Sequence, residues 1–473
     1  MNKLNVDICV IGAGSGGLSV AAGAAQMGAS TALVEKHKMG GDCLNYGCVP
    51  SKALLAAGHA AQAVRDSTRF GIQAELTGID PAGVYGHVHG TIAAIEPNDS
   101  IARFESLGVH VIEAAGRLAG RQEVIAGDTH IQARRIVIAT GSRAFVPSIT
   151  GLEATPYLTN ETIFDLTEIP KHLIIIGGGP IGIEMAQAHK QLGAQVSVLE
   201  MFEMMSKDDP DLVDVVRSQI TKEGVDLFEE VKIVSVEKTE NGVRIIFSKN
   251  GKDQAIDGSH LLVAVGRRPN VEGLELEKGE IKYSAKGIEV DDRLRTSNKK
   301  VFAIGDVAGG YQFTHVAGYH AGVVIKNALF RLPAKADHRF VPWVTYTSPE
   351  LAQVGLSEQQ AKKKHGEIRV LRWPYADNDR AQAEAITEGL IKVVTTKKGK
   401  ILGCGIAGRQ AGELIQPWVL ALSKGMKIDD IAQMIAPYPT LGEISKRCAG
   451  SYYTPTLFSE RTRKIVRFLA RFG

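Results

Sequence analysis

The sequence predicts an α/β protein in which two units of one design are nested and an α+β domain occupies the C-terminal end. Three observations carry this prediction. A short apolar run near the start ends in Gly12-Ala13-Gly14-Ser15-Gly16-Gly17. The same arrangement returns at Gly177-Gly178-Gly179-Pro180-Ile181-Gly182. From about Arg339 the composition changes to strand-like runs interleaved with helical ones.

The first unit opens with Val6 to Ile11, an apolar run of the kind that forms a buried parallel strand. An Ala-rich helix from Leu18 to Met27 follows, then a strand, Thr31 to Glu35, ending in an acid. Gly12, Gly14 and Gly17 permit a tight turn and let a pyrophosphate approach the helix N-terminus, while Glu35 is placed to accept from ribose hydroxyls. A G-x-G-x-x-G alone is weak. With a strand before it, a helix after it and an acid at the right distance, it predicts a Rossmann-like dinucleotide-binding unit. The plain alternative for Glu35 is a solvated strand-end acid. The second unit repeats the pattern: strand Leu173 to Ile176, glycines Gly177, Gly179 and Gly182, helix Ile183 to Leu192, and strand Gln195 to Leu199 ending at Glu200. From first glycine to acid the spacing is the same, 35 − 12 = 23 and 200 − 177 = 23. This internal repeat implies two nucleotide cofactors. Glu200 suits a ribose 2′-OH and repels a 2′-phosphate, and no Arg follows among Met201 to Asp209, so NADH is favoured over NADPH.

Between the two units lies Gly40-Gly41-Asp42-Cys43-Leu44-Asn45-Tyr46-Gly47-Cys48-Val49-Pro50-Ser51-Lys52, running into Ala53-Leu54-Leu55. The glycines read as a turn and the apolar run as a helix. Both thiols then lie near a helix start, where unpaired N–H groups favour a thiolate. A thiolate beside a second thiol can exchange with a disulfide and be regenerated. A structural disulfide and half of a metal site are the other readings of a C-x4-C pair; Cys9, Cys404 and Cys448 offer no second pair with ligand spacing.

The Gly40-to-Lys52 stretch resembles the redox-active signature of the pyridine nucleotide-disulfide oxidoreductases, the flavoprotein family of dihydrolipoamide dehydrogenase, glutathione reductase and mercuric reductase. The likeness extends to the Ala139-Thr140-Gly141 turn, to the Leu261-to-Asn270 return containing Gly266, and to Val301 to Ala308 around Asp306. It implies an FAD-binding domain at 1–147 and 270–338, an NAD-binding domain at 148–269, and a dimer-interface domain at 339–473 in a homodimer. It also implies that NAD(H) exchanges electrons with FAD and FAD with a Cys43–Cys48 disulfide. Cys48 would be the thiolate nearer the flavin and Cys43 the exchanging thiol. Lys52 would pair with Glu184 beside the flavin, and Asp306 would bond the ribityl chain. Gly41, Thr140, Gly141 and Gly266 belong to the same cofactor-binding motifs. Thr314 to Phe330 reads as a helix starting at the flavin, with His315 structural.

Near the C-terminus the family places a His-Pro and a Glu, supplied by the partner subunit as acid/base and its orienter. Here the stretch is Pro437-Tyr438-Pro439-Thr440-Leu441-Gly442-Glu443, so Tyr438 replaces the His and Glu443 is kept. With a reference pKa near 10 against about 6.5, a Tyr is a poor base for a dithiol. Mercuric reductases also carry a Tyr near this point but add a vicinal Cys pair; here only Cys448 stands nearby, read as a buried thiol rather than a ligand. The first reading is therefore a disulfide or dihydrolipoamide-type oxidoreductase acting on a small-molecule or protein-bound disulfide. The alternatives are reduction of a thiophilic metal ion and a flavin-bound redox sensor or subunit.

Elsewhere the sequence is less specific. Val88 to Ser106 reads as one helix despite Pro97, and Gln410 to Leu422 as another. His87 and His89 have no acid or Cys companion, so no metal site is expected there. With 55 basic and 52 acidic residues the net charge is +3, too small to point to nucleic acid. No apolar run approaches the roughly 18 residues of a membrane span. The opening residues lack a signal-peptide core, and five cysteines fit a reducing cytoplasm. The tail from Phe458 to Gly473 is basic and amphipathic. Packing on its own protein is the favoured account, and an acidic partner or membrane surface the other.

Overall fold

A computed structural model describes residues 2–472, leaving Met1 and the last residue of the tail, Gly473, outside the described residues. The chain forms two compact units. The first comprises residues up to Gln62, Leu76–Met201 and Glu230–Asp337. The second comprises Ala63–Glu75, Phe202–Glu229 and the chain from His338 onward.

The first unit is built on a parallel sheet. Asn2–Ile11 lies between Thr31–Glu35 and Thr129–Ile138, with Ile8 level with Thr31 on one side and Arg135 on the other. Val109–Glu113 extends the sheet beyond Thr31–Glu35, and Val301–Ala303 pairs with Thr129–Ile138. Ile8, Cys9 and Val10 are fully buried because both faces of a parallel sheet are covered. Helix Ser15–Gln26 packs against helix Thr314–Ala328 through small side chains. A Cβ on Gly16 would come within 3.3 Å of the Ala317 methyl, so the glycine permits the close crossing. A second set of parallel strands runs in the order Gln195–Leu199, His172–Ile176, His260–Val263, with helix Pro180–Gln191 after the second glycine turn. The chain leaves toward this set through Ser142–Ala144 and returns through Arg267–Pro269, and these two crossings pair antiparallel with Arg268 level with Arg143.

The single helix expected over Val88 to Ser106 is broken. Helix Pro81–Ile95 gives way to a 3₁₀ turn, Glu96–Asn98, before a short helix, Ile101–Ser106. Pro97 removes a backbone donor, and Ser100 caps the new helix by accepting from the Arg103 N–H. His87 and His89 are exposed on the first of these helices.

The second unit holds a five-stranded antiparallel sheet in the order Pro342–Thr345, Glu350–Gly355, Ile401–Gly408, Leu390–Thr396, Ile368–Pro374. Its core contains Trp418, Cys404 and Cys448, all buried. The helix expected from Gln410 to Leu422 is two, Ala411–Leu414 and Gln416–Lys424, the second with Pro417 in its first turn. Lys392 is 5 % exposed and its Nζ lies 2.8 Å from Asp209, 2.9 Å from Asp211 and 2.8 Å from Glu358. Burial opposes the charge, but these acids outweigh it and raise the lysine pKa. Asp208 beside them accepts from Trp343 Nε1 and Gln353 Nε2, and burial raises its pKa. Segment Phe202–Glu229 is thereby fastened within the second unit by the Lys392 charge and by the neutral donors Trp343 and Gln353, all from distant strands.

Candidate active site

The two glycine turns fold alike. A Cβ on Gly17 would stand 1.9 Å from the Gly12 carbonyl oxygen, and one on Gly182 would stand 2.0 Å from that of Gly177. No side chain other than glycine's hydrogen fits there, because helix and strand are in backbone contact. The middle glycines, Gly14 and Gly179, are the N-caps of their helices, neither helix start is capped by a side chain, and a Cβ on either would meet nothing nearer than 4.0 Å. Free helix N–H groups facing open space form the cradle a pyrophosphate requires. At the strand ends, Glu35 accepts from the Ala13 N–H at 2.6 Å and Glu200 from the Gly178 N–H at 2.5 Å. Both acids are thus held at the glycine turns, where a ribose would lie. These features fit a dinucleotide at each turn.

The cysteine pair is seated on the first of these turns. The Gly40 N–H donates to the Ala13 carbonyl at 3.0 Å, and a Cβ on Gly41 would come within 2.7 Å of the Gly14 Cα. Gly41 has φ +59°, so both its conformation and its closeness to the turn favour glycine. The short helix Gly41–Asn45 carries Cys43, and Cys48 starts the helix Cys48–Arg65. Both are free thiols, Cys43 half-buried and Cys48 exposed. Their acidities diverge. A hydrogen bond from Cys43 lowers Cys48 from 9.0 to about 6 against the opposing effect of burial, with Thr314 and Lys52 adding to the shift. The same bond to Cys48, with burial, raises Cys43 well above the ordinary thiol range. The pair therefore holds one proton and one negative charge near neutrality, the charge resting on Cys48.

The bond between Thr314 and Cys48 escaped the sequence reading. The Thr314 hydroxyl lies 3.4 Å from Cys48 Sγ, at the first residue of helix Thr314–Ala328. Lys52 Nζ lies 2.9 Å from Glu184 Oε2, and Glu184 is buried within helix Pro180–Gln191. The sequence offered this pair only through the family likeness, since 132 residues separate its members.

A polar chain extends from the dithiol loop. Arg267 bonds Asp42 at 2.8 Å, and its guanidinium also donates to the Ser142 hydroxyl and carbonyl. Ser142 in turn donates to Asp306 at 2.6 Å, and burial raises the Asp306 pKa against the pull of that bond and of Arg267. Thr140 and Asn270 exchange hydrogen bonds across the paired crossings, the Phe145 N–H donates to the Gly266 carbonyl and the Asn270 N–H to that of Gly141. The motif residues Thr140, Gly141, Gly266 and Asp306 thus cluster, and Ser142 and Arg267 join them.

Tyr438 and Glu443 belong to the second unit. Tyr438 is 68 % exposed, and its hydroxyl donates to Asp379 at 3.0 Å, a bond that raises its pKa. Glu443 starts helix Glu443–Ser451 and faces Arg447 at 3.7 Å. Cys448 lies fully buried, and burial pushes it up to about 12, so it is a packing residue there. Cys9 is likewise buried and raised to about 12. His315 is exposed and stacks on Phe313, with ring centroids 5.2 Å apart. Among the described residues no group of three or more His, Cys, Asp or Glu is arranged to hold a metal ion.

A family model described as pyridine nucleotide-disulphide oxidoreductase matches residues 6–321, and the dimerisation domain of the same family matches residues 341–449. The chain belongs to this family. It is therefore an FAD- and NAD(P)H-dependent flavoprotein oxidoreductase with a redox-active cysteine pair, and its dimerisation domain supports a homodimer. Among relatives in the family, mercuric reductase of Staphylococcus aureus is 34 % identical over 446 residues, covering 94 % of this chain and 82 % of that protein. Dihydrolipoyl dehydrogenase of Geobacillus stearothermophilus is 36 % identical over 453 residues, covering 94 % of this chain and 96 % of that one. The solved structure of the HOCl-induced flavoprotein disulfide reductase RclA from Escherichia coli superposes with a TM-score of 0.84 at 25 % identity, covering 94 % of this chain and 99 % of that one. Its Cu(II) complex superposes equally well, at 26 % identity, covering 93 % of this chain and 99 % of that one. No helix among the described residues is long and apolar enough to cross a membrane.

Proposed function

We propose that the protein catalyses NADH-linked reduction of a small-molecule or protein-bound disulfide, with Cys43 as the exchanging thiol and Cys48 as the resident thiolate. The observation that carries this reading is the divided acidity of the pair, Cys48 lowered to about 6 and Cys43 raised. Bound FAD supplies two-electron exchange between nicotinamide and thiols. The chain's own groups do the rest. Cys43, after passing its proton to Cys48, attacks the substrate disulfide and releases one thiolate. Cys48, deprotonated again, attacks the mixed disulfide and releases the second, leaving a Cys43–Cys48 disulfide; two protons complete the product thiols. Lys52, held by Glu184, keeps a positive charge near Cys48. Tyr438 of the partner subunit, oriented within its own chain by Asp379 and neighboured by Glu443, would donate a proton to a departing thiolate, though its raised pKa leaves it no base.

Glu200, with no Arg among 201–209, supports NADH over NADPH. The family likeness supports a division into FAD, NAD and dimer-interface domains at the boundaries given above, although the compact units group Phe202–Glu229 with the second unit. Free cysteines throughout support a cytoplasmic site of action. The basic C-terminal helix supports attachment to an acidic partner or membrane surface.

A second reading is favoured by Tyr438. A substrate that arrives as a complex of a thiophilic metal ion needs no base, and exposed, low-pKa Cys48 with Cys43 offers soft ligands. Anaerobic enzyme with NADH and a panel of disulfides and metal–thiol complexes separates the readings. Disulfide turnover abolished by Cys43→Ser and raised about tenfold or more by Tyr438→His supports the first. Faster turnover of a metal–thiol complex than of every disulfide, unmoved by Tyr438→His, supports the second. Slow turnover with all acceptors leaves the sensor reading.

A further inference from the structure

The tail from Phe458 to Gly473 was expected to pack on its own protein, and within this chain its described residues, through Phe472, stay largely exposed. Helix Glu460–Leu469 has no buried residue. Phe458, Ile465, Val466, Phe468, Leu469 and Phe472 are each between 48 and 74 % exposed. Every hydrogen bond and ion pair described for residues 459–472 stays within 453–472: Ser459 caps the helix at the Thr462 N–H, Thr462 Oγ1 donates to the Thr456 carbonyl, and Arg463 pairs with Glu460 at 2.9 Å. The helix is well formed locally and unpartnered elsewhere, whereas the core of its unit reaches Cys448, Ala449 and Tyr452.

At 100° per residue, Ile465 and Leu469 share one side of the helix, with Phe468 and Val466 at its edges, and Phe458 and Phe472 lie just beyond its two ends. Arg463, Lys464, Arg467 and Arg471 share the opposite side. Arg461 falls beside Phe468 at the edge of the apolar side; with it the cations number five against a single acid, Glu460, a net +4 over residues 460–472. Nothing in the family match assigns this face to a second copy of the chain. The match to the family's dimerisation domain ends at Ala449, before this helix begins. A groove in an acidic protein could also take a basic amphipathic helix, but an apolar side spread over six exposed residues suits a flat lipid surface better than a narrow groove.

We propose that this helix is an interfacial anchor for an anionic lipid surface, lying in the headgroup layer with its apolar side inward and its arginines among the phosphates. Such helices carry a polar face rich in Lys and Arg opposite Phe and Leu, and bind through buried apolar area plus attraction to anionic headgroups. The anchor holds the enzyme at the membrane without spanning it and takes no part in electron transfer.

The test is sedimentation of full-length FAD-loaded protein with vesicles of phosphatidylcholine alone or with about one-third phosphatidylglycerol. Binding is expected only to the anionic vesicles and is expected to weaken in high salt. Arg463→Gln with Arg467→Gln should lower it about 25-fold, at about fivefold per cation. Phe468→Asp with Leu469→Asp should abolish it. Both double variants should keep the native mass in solution and the disulfide turnover of the parent. Failure to bind anionic vesicles at low salt, or equal binding to neutral ones, overturns the proposal. So does a drop from dimer to monomer in the tail variants, which would assign the face to a second copy. Capture by polyglutamate as tight as by vesicles, and indifferent to the Phe468 and Leu469 changes, would assign it to an acidic protein.

Discussion

Replacing Thr314 by valine removes one hydroxyl, 3.4 Å from Cys48 Sγ, and keeps the side-chain shape. A hydrogen bond to a charged group contributes about 1.5–3 kcal/mol. This one is long, and Cys43 and Lys52 remain, so the low end applies: about 1.4 kcal/mol, or one pKa unit. Cys48, at about 6 in the parent, should then titrate near 7. At pH 6.5 its thiolate fraction would fall from about three quarters to about one quarter, and its alkylation rate by iodoacetamide about threefold. The assay is alkylation of the reduced protein against pH, read at Cys48 by peptide mass. Thr314→Ser keeps the hydroxyl and should follow the parent. Stability should move with the same group. Because the folded pKa lies below the ordinary 9.0, the contribution of the thiolate is complete above that value and disappears as pH falls through about 6. In the valine variant it should disappear through about 7, shifting the pH dependence of the melting temperature of the reduced protein. Coincident alkylation profiles for parent and valine, or equal shifts for serine and valine, would refute the assignment.

Lys52→Met deprives the buried Glu184 carboxylate of its cation. Since Lys52 is about one third exposed, the expected loss is about 1–3 kcal/mol, or about 1–3 °C in melting temperature for a chain of this length. Adding Glu184→Gln should restore part of it, and a double variant as unstable as the sum of the singles would argue that the pair does not interact. Glu200→Ala should raise the preference for NADPH relative to NADH by about tenfold to a hundredfold in kcat/KM. A parent enzyme already faster with NADPH would remove the basis for the NADH assignment.

Local order was legible in the sequence where one backbone requirement dominates. The two glycine turns and their acids could be read because strand, turn and helix are contiguous, and Gly17 and Gly182 meet the backbone of the same turn. The break at Pro97 was missed because the apolar pattern on either side is continuous. The link from Asp42 through Arg267 and Ser142 to Asp306 had no sequence signature, since it joins four segments that only the sheet and the paired crossings bring together. Thr314 was read as a helix start, but its bond to Cys48 was not legible for the same reason: 266 residues separate the two. The tail was read correctly as amphipathic, but amphipathicity does not say whether the protein itself covers the apolar side.

The burial of Lys392 sets an order on biosynthesis. Asp209 leaves the ribosome 183 residues before the lysine that will neutralise it, a delay of about 10–40 s at ordinary elongation rates. During that interval Asp209 lacks its buried cation, although Arg217 within Phe202–Glu229 already pairs with Asp214 and Glu229. The nascent chain must keep this segment solvated while the earlier strands assemble, and a truncated product ending before the lysine would expose it permanently to quality-control proteases.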